Sequence, residues 1–241
     1  CVSVVECTIN MESTGLGTTS RTAYLLDYNA VKTVTSDVSD NDDSFYRMDK
    51  ITGARSKNDG AWHNYHTIST FSSTCSAGMS QLYKYLGMVS STNAYGYDGS
   101  TIVTNSLFSV KYLISNKLLS TDSLRTYYNG YDGEFIYKNE YTLPAGYVSD
   151  GNLSEKWKPD TIYSGIENQN SLIEALTGVK DTFTECFVYP SQIDVTFSPS
   201  SSGHMYLVIQ KEGVDNIGVT INGNTTGYSG LKSGNRTVDI G

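Results

Sequence analysis

Six side chains able to bind or do chemistry crowd one short stretch of this chain: Asn58, Asp59, Trp62, His63, Tyr65 and His66. Amide, carboxylate, imidazole and ring faces set this close could stack on a sugar ring and hydrogen-bond its hydroxyls. A plainer reading stands beside that one, because Asn58 and Asp59 also suit an Asx-type turn or helix cap. His63 and His66 lie three apart at a loop-to-strand junction, yet metal ligation wants a third ligand and the neighbouring sequence names none. They read as ordinary surface or hydrogen-bonded histidines. Tyr95 and Tyr97 could join Trp62 and Tyr65 in an aromatic surface, although with 19 tyrosines in the chain plain packing explains them as well.

Other constellations are weaker. Ser72 and Ser73 stand between a strand and a helix, where a nucleophile elbow would sit, but that motif needs G-x-S-x-G and the residues are TFSSTC. A serine N-cap for the following helix is the better reading. The acidic run Asp37–Asp43 fails the calcium-loop register, because counting from Asp40 puts Phe45 and Ile51 where Gly and Glu belong. It reads as a solvated turn. Glu134, Glu140 and Glu155 could pair as glycosidase carboxylates only at a separation that sequence does not give. Cys1, Cys7, Cys75 and Cys186 show no metal spacing and read as buried free thiols. No phosphate loop or cofactor motif occurs.

The stretch His66–Ser115 supplies the elements around the polar loop. HTISTFSS alternates like a strand, and Met79, Leu82, Tyr83 and Leu86 make a helical stripe that Gly87 stops. SLFSVKYLIS then reads as a second strand, so the whole resembles a crossover between parallel strands. Met79, Leu82, Leu86, Phe108, Val110 and Tyr112 should form one core cluster. Upstream, VSVVECTI is strand-like, and a helix begins near Ser20 with Tyr24, Tyr28, Val31, Val34 and Val38 on one stripe. Phe45–Ile51, Gly133–Glu140 and Gly146–Ser149 read as further strands, with Pro144 limiting the last two. A polar connection over 150–170 leads to a helix whose capping box is Ser171 with Glu174 and whose C-cap is Gly178. Beyond Asp181 the period becomes two, through Ile193, Val195 and Phe197, then Met205, Leu207 and Ile209, then Ile217, Val219 and Ile221. Asn222-Gly223 is a hairpin turn. The fold class is therefore mixed, α/β or α+β. An N-terminal α/β domain with short strands and a crossover helix spans 1–165, and a capped helix plus β-sandwich spans 166–241.

Composition narrows the function. A formal charge of −8 with no basic stripe excludes a nucleic-acid partner and opposes binding to anionic lipid. Only 17% of residues are charged, and the Tyr, Ser, Thr and Asn-rich surface is the pattern of exported bacterial proteins. No apolar run is long enough to span a bilayer. The chain opens at Cys1 without a signal peptide and closes just after strand-like TVDI, so it reads as a segment of something larger.

Six strings in register, DDSFYRMD, NDGAWHNYHTISTFSST, LYKYLG, TNSLFSVKYLIS, YTLPAGYVS and NQNSLIEALTG, resemble the extracytoplasmic segment of YfhO-type bacterial membrane proteins. The resemblance covers about residues 19–180, and the β-rich remainder is only generically similar. Members resemble multispanning C-type glycosyltransferases that move sugar from a polyprenyl-phosphate donor onto cell-surface polymers such as teichoic acids. The resemblance implies that the catalytic acid lies in an early loop outside this segment and that the β-region continues past TVDIG. The expectation is thus a non-catalytic domain on the extracellular face of the cell membrane, without a cofactor. Its partners would be the membrane-spanning part of the same polypeptide and a cell-surface glycan acceptor, touched through the Asn58–His66 loop. The alternatives are a free-standing surface carbohydrate-binding module and, third, a secreted hydrolase.

Overall fold

The computed structural model describes residues 2–13, 20–148, 151–186, 203–210, 213–214, 216–228 and 236–240. The first elements are α1 (Val2–Ser13), α2 (Arg21–Tyr24), α3 (Tyr28–Asn41) and β1 (Arg47–Lys50). The middle of the chain forms α4 (Asp59–His63), β2 (Thr70–Phe71), α5 (Ala77–Tyr85), β3 (Ala94–Tyr95), α6 (Ile102–Leu107) and β4 (Val110–Ser115). After these come β5 (Arg125–Tyr131), β6 (Glu134–Asn139), α7 (Leu153–Lys156) and α8 (Gly165–Thr177). The last described strands are β7 (Tyr206–Ile209), β8 (Ile217–Ile221), β9 (Asn224–Tyr228) and β10 (Arg236–Asp239).

One mixed sheet in the order β1-β4-β6-β5 organises the chain, with β1 parallel to β4 and the other pairs antiparallel. A crossover does join parallel strands, but it runs from β1 to β4. The segment His66–Ser73 contributes only the two residues of β2, which pair with β3 outside the main sheet. The cause is Asp49. Its buried carboxylate accepts from Thr67 Oγ1 at 2.7 Å, Ile68 N at 3.0 Å and Ser69 Oγ at 2.6 Å, which bends the start of this segment out of the main sheet. Likewise Ser106–Ser115 is a strand only from Val110, because Thr101 and Thr104 form a capping box that starts α6.

Valines decide one face of the sheet. Val31, Val34 and Val38 recur at helical spacing and press α3 onto Met48, Tyr112, Ile114 and Ile136. The opposite face buries Tyr83, Leu86, Met88, Val110, Leu113, Tyr137 and Leu172. Met79, Leu82 and Phe108 pack against this second cluster as predicted, but Tyr112 lies in the first. Arg47 pairs with Val110 while Met48 pairs with Tyr112, so Lys111 is an extra residue on β4. That bulge turns Tyr112 to the face opposite Val110.

Several local expectations give way to simpler physics. α1 is a helix rather than a strand: among the described residues no strand pairs with it, so its amides bond along the chain. α3 runs on to Asn41, so the acidic run is mostly a helix end. Asp42 there is half-buried and accepts from Lys111 Nζ and Tyr112 OH rather than facing solvent. The N-cap of α5 is Ser76, which accepts from Met79 N, and not Ser72 or Ser73. Gly146–Val148 forms no strand, and the 150–170 connection holds α7 and the start of α8. α8 is capped by Ser164 with Glu167, one S-x-x-E earlier than Ser171 with Glu174; Ser171 sits mid-helix and donates to Asn168 O. Gly178 does end α8 in the left-handed conformation, and Asn222-Gly223 does turn β8 into β9. Cys7, Cys75 and Cys186 are free but none is buried, since their segments turn no face to the core.

α8 seats on α5 at a backbone crossing. A Cβ on Gly165 would stand 2.4 Å from Gly87 Cα, so only glycine permits the approach, and Gln169 Nε2 then reaches Leu86 O at 2.7 Å. β10 joins the same place through Thr237 N to Gly87 O at 3.1 Å. The described C-terminal strands form two antiparallel pairs, β7 with β10 and β8 with β9. The strand expected around Ile193, Val195 and Phe197 lies outside the described residues.

Candidate functional site

Alternation along the strands sets three charged groups at one end of the sheet. Lys50 ends β1 on the same side as Met48, and Glu134 begins β6 on the same side as Ile136. β1 and β4 run parallel and β6 runs back, so both residues lie at the C-terminal end of the parallel pair. Asp27 stands just before α3, the helix covering that face. Lys50 Nζ donates to Asp27 Oδ2 at 2.7 Å and to Glu134 Oε1 at 2.8 Å, with only 1% of its side chain exposed. Arg55 adds a second bond to Asp27 at 2.8 Å. Burial would raise the Asp27 carboxyl, but the hydrogen bond and charge of Lys50 outweigh it and hold the pKa below its ordinary value. For Glu134 burial wins over Lys50, and the pKa is raised.

α4 lies against this triad. Asp59 Oδ1 and Oδ2 accept from Ser56 N at 2.8 Å and Arg55 N at 2.9 Å, which folds the chain into the helix. Asn64 takes the left-handed conformation that ends it after one turn. His63 is thereby driven inward, 4% exposed, with its ring between Tyr28 at 5.7 Å and Tyr65 at 6.4 Å. Trp62 meets Tyr24 edge-on at 4.7 Å and Tyr28 at 5.3 Å. Tyr24 is 49% exposed and forms the outer rim, with Arg55 over its ring. Burial holds the His63 pKa below its ordinary value, so the ring is neutral at pH 7, with one N–H and one lone pair. Both of its nitrogens, Trp62 Nε1 and Glu134 Oε2 are buried without a hydrogen-bond partner. Each orphaned group costs about 1–3 kcal/mol, which four atoms in one place make conspicuous.

A family model described as "Bacterial membrane protein YfhO" matches residues 1–228. The chain belongs to the YfhO family of bacterial membrane proteins. No curated protein and no solved structure matches it. Among the described residues of this YfhO chain, no helix is long and apolar enough to cross a membrane. Nor does any group of three or more His, Cys, Asp or Glu among them stand ready to hold a metal ion.

The structure splits the six candidate residues. Trp62, His63 and Tyr65 gather beside the Lys50 triad, with the Tyr65 hydroxyl near the Lys50 backbone. Asn58 and Asp59 are spent on the frame: Asn58 Oδ1 accepts from Phe71 N at 2.8 Å and Nδ2 donates to Phe71 O at 2.9 Å. His66 is exposed and stacks on Phe45 at 5.5 Å, apart from the cluster. His63 corrects the reading of an ordinary histidine, since it is neither at the surface nor hydrogen-bonded. Asp27, Lys50 and Glu134 were not singled out from sequence as a group. One signal was available: Lys50 alternates with Met48, and a lysine on the apolar side of a strand calls for a buried carboxylate.

Proposed function

We propose that this segment is a non-catalytic extracytoplasmic domain of a YfhO-type membrane protein engaged in glycosylation of cell-surface polymers. It rests on the membrane-spanning part of the same polypeptide and guides the glycan acceptor through the α4 cluster. The observation that carries this reading is the unmet hydrogen-bonding capacity of His63 and Trp62 beside a rim of aromatic rings. A neutral imidazole offers one donor and one acceptor, Trp62 offers a donor, and Glu134 Oε2 accepts. These atoms are buried, so a glycan meets them when the Tyr24 rim moves aside. A sugar hydroxyl both donates and accepts and then complements each of them, while Tyr24 and Trp62 supply faces for the ring. The charged groups alongside neutralise one another, which suits holding a shape.

The test is a titration of the 241-residue chain with purified teichoic-acid fragments, followed by NMR. The Trp62 indole N–H and the His63 ring signals should move together and saturate. Signals that stay fixed at millimolar ligand would remove the glycan role from this cluster.

A further inference from the structure

At the other end of the sheet a second charged cluster ties the C-terminal strands down. His204, two residues before β7, has ring Nδ1 at 2.8 Å from Asp122 Oδ2 and Nε2 at 2.9 Å from Asp239 Oδ1. An ionised carboxylate only accepts, so both ring nitrogens must carry hydrogen and the ring must be an imidazolium. A neutral ring would point a lone pair at one of the two carboxylates. The side chain is 7% exposed, so water does little to relieve such a clash. Arg125, opening β5, donates from Nη1 to the other oxygen of Asp239 at 3.0 Å. Two carboxylates, one guanidinium and one imidazolium sum to zero.

We infer that His204 is a proton-operated latch, which holds the β7–β10 ladder against the start of β5 while its ring is charged and loosens it when the ring loses its proton. Among the described residues, the titratable groups that face the ring come from the loop before β5 and from β5, β7 and β10, with β9 one step further out. Asp122 comes from the loop before β5 and Arg125 from β5 itself. Asp239 comes from β10. Tyr206 of β7 tilts beside the ring at 5.1 Å, with its hydroxyl accepting from Ile102 N at 2.9 Å. Tyr228 of β9 donates to the Asp239 carbonyl at 3.0 Å, one step further out. Loss of the imidazolium proton leaves this partly buried set with a net negative charge and one repelled carboxylate.

The direction of the pH dependence follows. Burial works against the charged ring, but the hydrogen bond and charge of Asp239 and the hydrogen bond of Asp122 outweigh it, so the His204 pKa is raised. A raised pKa makes the latch complete below the ordinary imidazole value of about 6.5 and loses it as pH climbs through the folded value. For Asp122, burial is again overcome, by the hydrogen bond from His204, and its pKa is lowered, so acid also weakens the latch. The closed window is mildly acidic to neutral, and release comes on the alkaline side.

Amide hydrogen exchange tests this, read at Leu207 and Val238 of the ladder with Leu113 of β4 as the internal standard. After correction for intrinsic exchange, protection of the ladder should fall between about pH 6 and pH 9 while Leu113 holds. The fall is about tenfold for each pH unit by which His204 titrates above an ordinary imidazole. His204→Gln should flatten that dependence. Asp122→Asn keeps the ring and should move the midpoint to lower pH, which covers the case in which the glutamine variant fails to close. A ladder equally protected at both pH values, or a His204 ring titrating at or below the ordinary value by NMR, overturns the latch.

Discussion

At the Lys50 end of the sheet, Asp27, Glu134 and Lys50 are locked together while His63, Trp62 and one oxygen of Glu134 keep buried atoms unmatched. At the Arg125 end, the His204 ring has both nitrogens paired and its charge balanced by Asp122, Asp239 and Arg125. The same strands frame both clusters, since β6 begins at Glu134 and ends at Asn139, opposite Arg125. Matched polar groups join one part of a fold to another. A buried polar group left unmatched costs stability, and the cost at His63, Trp62 and Glu134 is what favours the binding role proposed for the Lys50 end.

Removing the centre of the first cluster should have the largest effect. Lys50→Met leaves Glu134 without a cation and Asp27 with Arg55 alone, and a urea melt should show a loss of about 3–5 kcal/mol. A loss below about 1 kcal/mol would mean that water reaches the triad, and the contrast between the two ends would vanish.

Asp49, on the other side of β1, tests the frame by pH. Burial pushes its carboxyl up to about 6, against the pull of the bonds from Ser69, Thr67 and Ile68. A carboxyl whose folded pKa exceeds its unfolded value takes up a proton on folding. Its contribution therefore declines as pH rises from about 4 to about 6, by roughly 1.4 kcal/mol for each pH unit in that interval. Asp49→Asn should abolish that slope in stability measured across the interval.

A smaller effect separates two caps of identical grammar. Ser164→Ala removes the side-chain bond to Glu167 N and should cost about 1 kcal/mol. Ser171→Ala should stay within about 0.5 kcal/mol, because that hydroxyl is inside the helix. Equal losses would place the start of α8 wrongly, and with it the Gly165–Gly87 crossing.

Those caps show why only part of the fold was legible. Helical stripes such as Val31, Val34 and Val38, and turn glycines such as Gly87 and Gly178, report local physics and read correctly. Where two local solutions compete, tertiary contact chooses: Ser164 wins over Ser171 because Gly165 must meet Gly87. The His66–Ser73 segment alternates like a strand, yet Asp49 claims its donors from 18 to 20 residues away. β5 escaped notice although Asp132-Gly133 is a hairpin turn with both residues at positive φ. In the candidate site the crowding of Trp62, His63 and Tyr65 was visible. Their partners Asp27, Lys50 and Glu134 were not, because Glu134 lies 84 residues from Lys50 and only the sheet brings them together.

The most direct measurement concerns Trp62 in the full-length membrane protein. Trp62→Phe keeps an aromatic ring against Tyr24 and Tyr28 and removes the unmatched N–H with two carbons of the indole, so the loss of stability should stay within about 1–2 kcal/mol. Glycosylation of the surface polymer, assayed in cells relying on this variant, should fall severalfold, in keeping with about 1 kcal/mol for one lost hydrogen bond. Unchanged glycosylation by a folded, normally abundant variant would contradict the account and leave the α4 cluster a feature of the frame alone.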